Sequence, residues 1–137
     1  MPDTGLVTLQ SAHDFGGTVR RLAARLDAKG VTVFARVDHA AGAASVGMVL
    51  RPTTLFMFGN PAAGTPLMQA AQHAGIDLPL KMLVWQDANG IVYLSYNDPS
   101  WIAARHGLAG GVQQTVTAMT EILDALAQHA ASTAGHD

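Results

Sequence analysis

The chain has 137 residues, 49% of them apolar and only 13% charged, so it suits one domain with a real core and carries about half the usual roughly 25% of ionisable side chains. A net charge of −2 without a basic run leaves a phosphate backbone little to bind, and no apolar run nears the roughly 20 residues that span a bilayer. With no cysteine there is no disulfide, thiolate nucleophile or thiolate-held zinc or iron–sulfur centre.

Nucleic-acid and membrane partners are therefore not expected. No basic segment followed by an apolar one opens the chain, and the expected location is the cytoplasm. So few charges also suggest apolar surface buried between two subunits, as in a homodimer.

In chain order, "GLVTLQ" reads as a first short strand, and Ser11 or Asp14 can cap the helix that follows. Phe15, Val19, Leu22 and Leu26 recur at helical spacing, and Lys29-Gly30 ends that helix. "VTVFARV", Val31 to Val37, is a β-branched strand; Asp38 then caps a short alanine-rich helix. After Arg51-Pro52, "TTLFMF" reads as a buried strand and "TPLMQAAQHAG" as a helix with Pro66 in its first turn and Gly75 beyond its end.

Two β-rich runs flank Asp87-Ala88-Asn89-Gly90, the clearest hairpin signal in the chain. Asp98-Pro99 opens a short helix closed by Gly107. The last helix, about 110–131, carries a seam of Val112, Val116, Met119, Leu123, Leu126 and Ala130; the tail 132–137 should fray. That seam is the expected dimer surface. Mixed elements with a hairpin predict an α+β fold in a single domain over residues 1–137.

"FGNPAAGTP" has the glycine spacing of a phosphate loop at Gly59 and Gly64, but Thr65 stands where lysine is needed and Pro61 removes a backbone donor. The stretch is read as a structural turn, with Asn60 tolerating positive φ. The blocks "TVRRLAARLDAKGVTVFARVDHAAGA", "LRPTTLFMFGNPAAGTPLMQAA", "DLPLKMLVWQDANGIVYLSYNDP" and "RHGL" together resemble the domain-of-unknown-function family 302, over a core of about 14–108. The matching motifs are Asp38-His39, Arg51 to Leu55, Phe58 to Thr65 and Ser95 to Pro99. The resemblance implies a curved, mainly antiparallel sheet with helices packed on one face, like that of the TATA-binding protein, and a homodimer. It implies no activity.

The candidate pocket residues are Asp38, His39, Asn60, Lys81, Tyr96, Asn97 and His106. Asp38-His39 follows a strand, where acid–base groups often sit, although Asp38 is also a natural cap. Lys81 shares a strand face with Leu83 and Trp85, so it should snorkel, find a carboxylate or lose its charge. Among the six histidines none has metal-ligand spacing on one element. The expected function is a dimeric module binding a small apolar or anionic ligand or a protein partner, without catalysis or cofactor. The alternatives are an enzyme using Asp38, His39 and Lys81, and a histidine-held metal or haem.

Overall fold

Asp14 accepts the Gly17 N–H at 2.7 Å through its side chain, and this cap starts helix α1 (Phe15–Ala28). Val19, Leu22 and Leu26 line its buried face, and Gly30, at φ 67°, turns the chain out of it. The computed structural model describes residues 4–108 and 110–133. Among these, strands β1 (Leu6–Gln10), β2 (Thr32–Asp38), β3 (Thr53–Gly59), β4 (Leu80–Gln86) and β5 (Val92–Asn97) form one sheet in the order β1-β5-β4-β3-β2, with every neighbour antiparallel. The expected frayed tail lies outside the described residues from position 134 on.

The remaining helices are α2 (His39–Ser45), α3 (Pro61–Ala70), α4 (Pro99–Arg105) and α5 (Gln113–Ala131). Register settles which side chains share a face: Phe56 stands opposite Met82, and Val84 opposite Leu94. All four are at most 1% exposed and pack in one core with Leu22 and Leu26 of α1 and Met119 and Leu123 of α5. Each such side chain contributes about 1.5–3 kcal/mol. The fold is α+β, with α1 and α5 laid on one face of the sheet.

The hairpin joining β4 and β5 forms where Asn-Gly was read. The side chain of Asp87 accepts the N–H groups of Asn89 and Ile91, both at 2.9 Å, and Gly90 takes φ 81°, a conformation other residues rarely adopt.

The glycine-spaced stretch differs from expectation. It is not a turn ahead of a helix from Thr65; α3 already begins at Pro61. Asn60 has φ −131° rather than a positive value, and its side-chain oxygen accepts the Ala62 N–H at 2.9 Å. Pro61 follows at the first helical position, where a missing N–H costs nothing. Pro66 consequently lies inside the helix. At the other end α3 stops at Ala70, and a 3-10 helix over Gln72–Asp77 replaces the expected continuation to Gly75. That segment buries Ala74 and carries Asp77 toward α4.

The seam of the last helix is used up inside the chain. Val112, Val116, Met119, Leu123, Leu126 and Ala130 are all buried against this same core. The ground for placing a dimer surface on it is therefore gone. Uncovered apolar side chains gather elsewhere: of ten large ones exposed among the described residues, seven lie between Val33 and Leu50.

Candidate functional site

Residue by residue, the seven sequence candidates fall into separate places. Asp38 caps α2 by accepting the Ala41 N–H at 2.9 Å, and His39 is exposed beside it. Asp38 stands opposite Thr54, itself opposite Val84, whereas Lys81 pairs with Met57 three residues along. Strand rise and spacing put Asp38 and Lys81 about 14 Å apart, on opposite sheet faces. Proton transfer needs contact near 3 Å, so the geometry does not assemble the acid–base trio.

Tyr96 is buried on the core face with Leu94, whereas Lys81 and Asn97 are brought together on the open face of the sheet. With Leu6, Leu55, Leu83 and Ser95 they line a shallow depression of about 200 Å³. The Lys81 ammonium donates to the backbone carbonyls of Asp77 and Pro79, both at 3.3 Å, which is the snorkelling outcome rather than pairing with a carboxylate. Trp85 donates its indole N–H to Ser95 Oγ at 2.9 Å and stacks on Tyr93.

Tyr96 is 6% exposed, and burial raises its pKa above the usual 10.0, with the negative charges of Asp124 and Asp98 adding to the effect. The folded state thus holds this proton more tightly than the unfolded one. Stability from Tyr96 is intact below pH 10.0 and is lost as pH rises through the folded value. Chemical denaturation between about pH 9 and 11.5 should show wild-type stability falling more steeply than that of Tyr96→Phe. Parallel curves would refute the assignment.

His106 belongs to a cluster whose other members went unread in the sequence. Its Nε2 lies 2.6 Å from Asp77 Oδ2, and its Nδ1 lies 2.7 Å from His73 Nδ1. Arg105 Nη1 donates to both Asp77 oxygens at 3.0 Å. An ionised carboxylate only accepts, so His106 gives it the Nε2 proton, and the two Nδ1 atoms share one more. Two nitrogens on a tetrahedral metal would stand about 3.3 Å apart; at 2.7 Å this is a hydrogen bond. Among the described residues no group of three His, Asp or Glu side chains is poised for a metal ion. The separation of His73 and Asp77 from His106 along the chain left no local signal for the cluster.

Asn60 lies at an apolar pocket that is open to solvent on one side. The end of β3, the first turns of α3, the 3-10 segment and Met119 of α5 surround a cavity of about 250 Å³. Gly64, Met68, Leu78, Pro79 and Leu80 supply most of its wall, with Phe34 at one side. Asn60 and Thr65 are its polar side chains, and no acidic, basic or histidine side chain lines it. The 3-10 segment that forms part of this wall is the one that Asp77 ties to α4.

A model of the family described as "Domain of unknown function DUF302" matches residues 7–126. The structure titled "Crystal structure of uncharacterized conserved protein DUF302 from Bacillus stearothermophilus" superposes with a TM-score of 0.81, covering 93% of this chain and 98% of that one at 17% identity. At that identity the likeness speaks to the fold alone. Two curated relatives are named "Fluoride-specific ion channel FluC 1", from Brucella suis biovar 1 (strain 1330), and "Fluoride-specific ion channel FluC 2", from Brucella melitensis biotype 1. Both are 44% identical over 129 residues, 94% of this chain, but only 51% and 48% of those proteins. The chain spans about half the length of the curated relatives it matches.

Proposed function

The chain belongs to the family described as domain of unknown function DUF302, and from that premise we propose that it is a non-catalytic binding module, working as a pair, that holds a small apolar ligand in the cavity beside α3. The carrying observation is that cavity of about 250 Å³, apolar but for Asn60 and Thr65. An apolar cavity of about 150 Å³ suffices for benzene, so this one suits a bicyclic ring or a short acyl chain. An anion would find no cation there to replace its water.

In the relatives named as fluoride channels, we assign conduction to the half that this chain does not match. No helix among the described residues is long and apolar enough to cross a membrane, which supports that division. The matched half would then act as a ligand-responsive attachment.

Indole and 1-hexanol are suitable probes, followed by protein NMR and thermal shift. Indole at saturating concentration should perturb the amides of Gly64 and Met68 and raise the melting temperature, since a ligand at 100 times its Kd adds about 2.7 kcal/mol. A Cβ on Gly64 would meet Leu78 at an ordinary 3.7 Å, so Gly64→Leu can fill the cavity and should abolish the response in a folded protein. No response to either probe at millimolar concentration, or an equal response in Gly64→Leu, would overturn the reading.

A further inference from the structure

Helix α5 packs against α1, and at one end Arg21 of α1 donates to the His129 carbonyl at 2.9 Å. Toward the C-terminal end of α1 the space between the two helices opens into a groove of about 420 Å³. It shares no lining residue with the pocket beside α3.

The two walls of this groove differ in kind. From α1 and its cap come Arg25 and Lys29, four residues apart and therefore on one face. From α5 come Ala118, Ile122 and Ala125, whose spacing of four and three makes one apolar strip about 10 Å long. Ile122 is 44% exposed on this strip, and buried Leu126 lies beside it.

The basic wall is not neutralised within the chain. Glu121 also lines the groove, yet it makes no ion pair with Arg25 or Lys29. Arg25 stands in the last turn of α1, where the helix dipole favours a cation even without a carboxylate beside it. Two positive charges against one negative leave the groove positive on a chain of net charge −2. A phosphate would gain nothing from the apolar strip, and a neutral hydrocarbon would leave both cations unused. The complement is a molecule with one anionic head and one hydrocarbon flank.

We propose that the groove binds the monomeric anion of a medium-chain fatty acid. Its carboxylate lies between Arg25 and Lys29, and its chain runs along Ala118, Ile122 and Ala125. Because the two sites share no lining residue, the groove binds independently of the pocket beside α3.

Decanoate, held below its micelle-forming concentration, is the probe, titrated into the full chain and followed by protein NMR and calorimetry. It should perturb the amides of Ile122 and Ala125. Half-covered methylenes should make it about fourfold tighter than octanoate. The neutral alcohol 1-decanol should bind about tenfold more weakly, since two exposed ion pairs are lost. Arg25→Gln combined with Lys29→Gln should weaken decanoate about tenfold and erase its advantage over the alcohol. Glu121→Gln should tighten it about two- to threefold by removing a like charge. Ile122→Asp should abolish binding with unchanged far-UV circular dichroism, because Ile122 already reaches solvent. Equal decanoate affinity in the Arg25/Lys29 double variant would overturn the proposal, as would no binding at millimolar concentration. Shifts confined to Gly64 and Met68 would place the chain beside α3 instead and overturn it too. If Ile122→Asp changes the sedimentation of the unliganded chain and leaves decanoate binding intact, the groove belongs to a second copy and the fatty-acid assignment falls.

Discussion

Phe58→Ala is expected to remove about 3–5 kcal/mol of stability, the largest loss for any single truncation considered. Phe58 is 0% exposed, stands opposite Val33 on one side and Leu80 on the other, and belongs to the central core. Cutting its ring away forfeits the burial energy and leaves a space that the rigid strands on both sides cannot close. For a chain of this size the melting temperature should fall by roughly 10–20 °C. Urea titration followed by circular dichroism measures it. Phe34→Ala is the control: Phe34 is 51% exposed, and the change should stay within about 0.5 kcal/mol for the isolated subunit. Equal losses for the two variants would refute the assignment of the core.

The second large effect is at Asp77. Its carboxylate is 12% exposed and takes the His106 N–H at 2.6 Å, while the His106 side chain is 6% exposed. Charge-assisted hydrogen bonds of this kind are worth about 1.5–3 kcal/mol, and the residue left behind loses its partner. Asp77→Ala should therefore cost about 2–3 kcal/mol, most of it through His106. Arg105 is 49% exposed, so solvent screens its share to about 1 kcal/mol or less. Double-mutant cycles separate the two: the coupling of Asp77 with His106 should exceed that with Arg105. The 3-10 helix that Asp77 fastens supplies Gly75 to the cavity, so the same variant should also blunt the response to indole. A larger coupling with Arg105 would reverse the account.

Much of the fold was legible because it is local. The spacing of Phe15, Val19, Leu22 and Leu26 could form only one stripe on a helix, and three of these residues line its buried face. Lys81 could be placed on a face with Leu83 and Trp85 because strand side chains alternate, although that alternation could not reveal the carbonyls it meets. The misplaced start of α3 has a different cause. Asn60-Pro61 is itself a helix-start signal, a cap followed by a first-turn proline, but the glycine spacing drew the reading toward a turn.

Of the candidate site, Asn60 was found for the wrong reason and His106 without its partners. Nothing within a few residues of His73 or Asp77 says that the chain will fold them against α4. Asp38 and Lys81 looked like partners in composition, and strand register set them apart.

The amino-acid order by itself determined the five strands, the stripe of α1, the seam of α5 and the lack of thiol chemistry. These follow from backbone sterics and side-chain periodicity over a few residues. Tertiary structure alone decided that Asp77 meets His106, that α3 walls one side of an apolar pocket, and that Val46, Met48, Val49 and Leu50 stay uncovered in the single chain. Each depends on packing between distant segments, whose outcome is set by how all the elements fill one core together.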